Sequence, residues 1–388
     1  MPLRHTLTAL ALTLAAGAAL AQPQQGVSKD EIVLGSIQDL SGPLAGFGKS
    51  IRLGMLLRVD EINEQGGING RKLRLQIEDS KYDPRNAVLA AQKLVNQDKI
   101  FAMVAHLGTA QNMAAMPVQF QKNVVNFMPV TAAREMFEPL HRLKFANATP
   151  YYDQVRVFLP QIVKEKKPKA VCAIYQDDEF GLEVLRGAEE GLKAVNMQLV
   201  EKTSFKRGAT DFASQVARMK ASNCDFVVLG TIIRETIGTI ATARKMDFNP
   251  VFFGTQAAYT DLIHKLGGPA MNGLYATMGT QHPYLDEASQ PIRFWANKYQ
   301  TKFNEDPNVF SVYGYNAIDL FARAAGKAGP NLSTDSFVKA MDSMTVPPDI
   351  FGTAQLTYSP QKRIGSMAVR LSQIQDGRWK VISDYVTQ

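Results

Sequence analysis

The hydrophobic pattern predicts an α/β protein built from two doubly wound parallel sheets. Three observations carry this. Short apolar runs alternate with helix-period segments almost from end to end. A chain of 388 residues is too long for one ordinary core. The alternation also stops near Phe145 and starts again, as expected of a second lobe.

The elements follow in order. Ile32-Val33-Leu34 opens a strand running to Ile37, and a glycine-rich turn is expected from Ser41 to Gly48. Ile51, Met55, Val59 and Ile62 then recur at helical spacing, and Gly66-Gly67 ends that helix. Leu73, Leu75 and Ile77 alternate as a second strand. Asp83-Pro84 is a helix cap with proline at the first helical position, and this helix runs to about Asp98. Phe101 to Ala105 is apolar throughout, the mark of a strand buried in a parallel sheet.

The second series begins with a strand at Ala170–Tyr175 and a helix at Gly181–Val195. A strand at Gln198–Ser204 and a helix capped by Asp211 follow. The strand Phe226–Leu229, the helix Glu235–Met246 and the strand Val251–Phe253 continue it. From about Ala354 the pattern changes to short strands at Leu356–Tyr358, Met367–Leu371 and Trp379–Ile382. No low-complexity linker separates the halves, so the lobes are expected to be joined by several short crossings.

The N-terminus reads as an address. Arg4 and His5 precede an apolar stretch from Leu7 to Leu20, and Ala19-Leu20-Ala21 fits the small-x-small cleavage pattern. Residues 1–21 are therefore expected to be a signal peptide cut after Ala21, too short for a membrane span, giving a periplasmic protein. The net charge of +7 is spread out, with no aromatic-interleaved basic patch, which argues against a nucleic-acid partner. The histidines lack ligand spacing and neither CxxC nor HExxH occurs, so no metal or cofactor is expected. Cys172 and Cys224 lie on or beside predicted strands. An oxidising compartment permits a bridge, while buried free thiols suit the same positions and are the favoured reading.

Gly48-Lys49-Ser50 imitates a phosphate loop, but Pro43 stands where the P-loop needs glycine. No GxSxG and no nucleophile with a base emerges, so an enzyme is not expected. The informative places are strand-to-helix junctions. His106-Leu107-Gly108-Thr109-Ala110-Gln111 follows a buried strand and opens a helix, where free N–H groups and a hydroxyl can hold a carboxylate; Pro129-Val130-Thr131-Ala132 has the same character. A plain N-cap fits these residues equally well.

The run Ser41-Gly42-Pro43-Leu44-Ala45-Gly46-Phe47-Gly48 resembles the opening loop of the leucine/isoleucine/valine-binding protein family. Asp60-Glu61-Ile62-Asn63 with Gly66-Gly67-Ile68-Asn69-Gly70, Asp79, Asp83-Pro84, and His106-Leu107 with Thr109 continue the likeness in order. So do Asp178, Phe180-Gly181, Thr210-Asp211-Phe212 and Gly314-Tyr315-Asn316-Ala317. The resemblance implies a type I periplasmic binding fold: two lobes, three crossings and a hinge that closes on a small organic ligand. It implies lobes at 28–147 plus 280–350 and at 148–279 plus 351–388, and a monomer that delivers ligand to the permease of an ABC importer. A sensor subunit for a membrane receptor would share the same fold and pocket.

Carried over by position, the resemblance places Phe47 over the ligand, and Thr109 and Ala110, with Gln111 beside them, at its carboxylate. Val130, Thr131 and Ala132 form a second carboxylate loop, and Phe180 is an aromatic of the second lobe. Thr231 or Ile232 falls where relatives have another ligand-facing aromatic. Tyr151 and Gln256 stand where amino-acid binders place acidic groups around an ammonium, and Tyr152 extends an aromatic wall. Asp153 is the alternative ammonium partner. A buried cation without a carboxylate is costly, so these positions favour a carboxylated, aromatic ligand over leucine, isoleucine or valine.

Overall fold

The computed structural model describes residues 24–387; the expected signal peptide at 1–21 lies outside them. The first series is β1 (Glu31–Gln38), α1 (Ala45–Glu64), β2 (Lys72–Asp79), α2 (Pro84–Asn96), β3 (Ala102–Val104), α3 (Thr109–Gln121), β4 (Val125–Phe127) and β5 (Lys144–Phe145). These strands form one parallel sheet in the order β2-β1-β3-β4-β5. β3 and β4 are wholly buried, which explains their unbroken apolar runs. Asp83 caps α2 as expected, accepting from the Arg85 and Asn86 N–H groups.

The second series is α4 (Tyr151–Lys166), β6 (Val171–Gln176), α5 (Glu179–Lys193), β7 (Leu199–Phe205), α6 (Ala213–Ala221), β8 (Phe226–Gly230), α7 (Arg234–Lys245), β9 (Val251–Gly254), α8 (Asp261–Gly267) and β10 (Tyr275–Met278). The chain then returns to the first lobe with α9 (Gln290–Phe303), α10 (Val309–Ala328) and α11 (Thr334–Met341). The small pair β11 (Thr345–Val346) and β12 (Leu356–Thr357) precedes β13 (Arg370–Gln375) and β14 (Arg378–Val381). The second sheet has the order β14-β13-β10-β9-β8-β6-β7; β13 and β14 join it antiparallel, and the rest is parallel. Among the described residues, no helix is long and apolar enough to cross a membrane.

Helices cover both faces of the first sheet. α1 and α10 lie on the side of Ile32 and Leu34, and α2 and α3 on the side of Val33, Ile37 and Met103. The α1–α10 crossing is so close that a Cβ on Gly54 would meet the Ser311 carbonyl oxygen at 1.9 Å, and one on Gly314 the Ile51 oxygen at 2.2 Å. Three stretches join the two sheets, and they bind one another. Ala146 pairs with Ile364, Thr149 Oγ1 donates to the Ala368 carbonyl, and the Tyr385 hydroxyl donates to the carbonyls of Gly279 and Gly352.

Three expectations need correction. The loop expected up to Gly48 gives way to helix at Ala45, where Asp39 accepts from the Gly42 and Leu44 N–H groups and turns the chain early. The phosphate-loop imitation is thus helical. The strand expected at Met367–Leu371 lies at Arg370–Gln375, because Ser366 to Val369 belong to a crossing. Cys172 on β6 and Cys224, just before the neighbouring β8, form a disulfide with Cα atoms 5.9 Å apart, not two free thiols.

Candidate functional site

Parallel sheets open a crevice outside the carboxyl ends of their strands. Here two such ends face each other. The loops after β1, β3 and β4 bring Leu44, Phe47, Thr109 and Thr131 to one wall, and those after β6, β8, β9 and β10 bring Phe180, Ile232, Gln256 and Thr280 to the other. The space between them measures about 1020 Å³, open mouth included.

The polar end of this cavity is built by backbone geometry. Gly108 has φ of 99°, a value an L side chain rarely adopts, and so swings the chain from β3 into α3. The helix therefore starts at the cavity wall. The Thr109 and Ala110 N–H groups, in its first turn, have no acceptor among the described residues. The Thr109 and Thr131 hydroxyl oxygens are 2.6 Å apart. The Tyr151 hydroxyl adjoins Thr131, and burial pushes its pKa up to about 12, so it is a neutral donor. Unpaired N–H groups at a helix start, joined by three hydroxyls, suit an anionic oxygen without any basic side chain.

The remaining wall is aromatic. Phe47 stacks on Phe310 with ring centroids 3.5 Å apart, and Tyr151 meets Phe180 edge-on at 4.9 Å. Every residue lining the cavity is uncharged. The lobes also touch around it. The Arg207 guanidinium lies 5.6 Å from the Tyr82 ring centre, Lys265 pairs with Asp306 at 3.2 Å, and the Arg134 N–H donates to Glu183 at 3.0 Å. This is a closed arrangement.

Of the residues expected at the site, Phe47, Thr109, Val130, Thr131, Tyr151, Phe180, Ile232 and Gln256 line the cavity. The others lie behind it. Asp153 is fully buried, 2.5 Å from Arg134 and 3.4 Å from Arg156, so its charge is already spent. Tyr152 faces away, under the Arg134 guanidinium at 4.8 Å. Gln111 donates to the Tyr82 carbonyl at 2.7 Å, and the Thr231 hydroxyl is 2.6 Å from that of Thr236. The Ala132 carbonyl accepts from the Tyr151 N–H at 2.8 Å, and the Ala110 methyl is buried off the wall.

Sequence reasoning missed Tyr82, Asn147, Phe310 and Tyr313. Phe310 and Tyr313 stand three residues apart on α10, so the aromatic spacing was a signal that could have been read.

Residues 31–378 match the family described as periplasmic binding protein. A curated relative, the Leu/Ile/Val-binding protein of Escherichia coli (strain K12), is 27% identical over 86% of this chain and 89% of its own. Among solved structures, a branched-chain amino-acid ABC transporter protein from Thermus thermophilus with bound valine has a TM-score of 0.84 at 17% identity, covering 93% of this chain and 98% of its own. A solute-binding protein of an ABC transporter from R. palustris, in complex with benzoate, has a TM-score of 0.80 at 16% identity, covering 92% and 98%. Profile, relatives and architecture agree: the chain belongs to the periplasmic binding protein family, in the type I branch that includes the Leu/Ile/Val-binding proteins.

Proposed function

We propose that this protein, exported to the periplasm by its N-terminal segment, captures a small carboxylated and aromatic ligand that lacks a free α-ammonium. The uncharged wall of the cavity carries this reading. A carboxylate is served by the Thr109 and Ala110 N–H groups and by the hydroxyls of Thr109, Thr131 and Tyr151. An ammonium would be desolvated there without a carboxylate partner, a cost of several kcal/mol. Phe47, Phe310 and Phe180 offer ring faces and edges to an aromatic body.

The mechanism is capture by closure. Ligand touching both walls stabilises the closed form by its differential affinity for it. The closed monomer then presents the ligand to the permease of an ABC importer, and no bond in the ligand is made or broken. A second reading, a branched-chain amino acid, is favoured by the names of the curated relatives.

Thermal shifts of refolded, ligand-stripped protein separate the two. Benzoate or 3-phenylpropanoate should raise the melting temperature while leucine and valine leave it unchanged. Stabilisation by leucine or valine alone would replace the first reading with the second.

A further inference from the structure

The cavity holds one hydroxyl that no group among the described residues uses. Tyr313 lies on the wall, and its Oη is shut off from solvent with no hydrogen-bond partner among the described residues. Burial raises its pKa, so it keeps its proton and can donate. A buried hydroxyl left unpaired costs about 1–3 kcal/mol, so one retained on a cavity wall points to something that enters the cavity. Tyr313 also reaches the cavity on α10, which covers the opposite face of the first sheet from α3. The Thr109 and Ala110 N–H groups and the Thr109–Thr131 hydroxyl pair stand at the α3 side, while the Tyr151 hydroxyl comes from the start of α4. Tyr313 packs edge-on against Phe310 at 5.3 Å, and Phe310 stacks on Phe47, so the aromatic wall runs up to this hydroxyl. On the second lobe, the Gln256 side chain lines the same cavity without a protein partner among the described residues.

We propose that Tyr313 is a specificity-determining residue: its hydroxyl bonds a second oxygen of the ligand, separate from the carboxylate. The ligand class is then an oxygenated aromatic acid, bearing a hydroxyl, carbonyl or ether oxygen beyond the ring. This inference rests on the carboxylate reading above and narrows it.

The test is isothermal calorimetry on ligand-stripped full-length protein with matched probes: benzoate against 3- and 4-hydroxybenzoate, and 3-phenylpropanoate against 3-(4-hydroxyphenyl)propanoate. At least one oxygenated probe should bind the wild type about 10-fold or more tightly than its parent. Tyr313→Phe should erase that preference without lowering the parent's affinity or the ligand-free melting temperature, since Oη has no hydrogen-bond partner among the described residues. Equal weakening of parent and oxygenated probe would overturn the inference by assigning Tyr313 to the carboxylate. An unchanged preference in the variant, or none in the wild type, would overturn it too. If the wild type binds none of these acids, the carboxylate reading itself falls, an outcome distinct from the failure of Tyr313 alone.

Discussion

The hydroxyl of Thr109, at the head of α3, lies 2.6 Å from that of Thr131 in the loop after β4. Two short side chains from neighbouring strand ends thus share one proton-bearing contact at the cavity wall. Thr131→Val keeps the shape and removes one donor. It should weaken carboxylate binding about 10-fold, the effect of roughly 1–2 kcal/mol from a lost hydrogen bond. Calorimetric titration with benzoate measures it, and Thr109→Val in the same background should cost less than the sum of the two single changes.

Glu183 gives the closed form a pH dependence. Its carboxyl accepts from the Arg134 N–H across the cleft, and burial, with Glu135 adding to it, pushes its pKa up to about 7. The sign follows from the raised value. The folded protein holds this proton longer than the unfolded chain, so the carboxyl destabilises the fold increasingly as pH rises from about 4.5 to about 7. Glu183→Gln keeps an acceptor for Arg134 and removes the titration. The variant should be more stable than wild type at pH 8, by on the order of 2–3 kcal/mol, and equal to it near pH 4. Denaturant melts at the two pH values test this.

Gly54 has no room for a methyl group. The Ser311 carbonyl lies 1.9 Å from where a Cβ would stand, and backbone cannot rotate away as a side chain can. Gly54→Ala should destabilise the first lobe by about 2–3 kcal/mol through overpacking. A drop in the urea midpoint with an unchanged slope would record it.

The Cys172–Cys224 bridge closes a segment with a sequence separation of 52. Chain entropy alone assigns such a loop about 4 kcal/mol. The double variant Cys172→Ala, Cys224→Ala should therefore melt well below the oxidised wild type and match the wild type measured under reductant.

The sequence carried most of the fold. Ile51, Met55, Val59 and Ile62 are all buried on α1, and the apolar run at β3 is indeed a buried parallel strand. Periodicity reports the face a residue buries, which local chemistry sets. It does not report what a loop residue meets across a cleft. Asp153 looked available for a ligand because nothing local to it names Arg134, nineteen positions away, as its partner. Tyr313 escaped notice because its helix is separated in sequence from the other first-lobe cavity loops, those around Phe47, Thr109 and Thr131, by the whole second lobe. The cysteines were misjudged for a related reason: their pairing depends on β6 and β8 being neighbours, a matter of strand order.

That strand order has a consequence for how the molecule comes into being. β10 awaits β13, pairing Tyr275 with Gln373, and α1 awaits α10 from the far side of the second lobe. Neither lobe is a finished object until nearly the whole chain exists. During synthesis, apolar faces wait for covers still to be made, and contacts so distant in sequence form slowly. A nascent chain of this design stays unfinished for most of its elongation. Until β13 and α10 exist, a chaperone holding the chain would meet a polypeptide without a stable core.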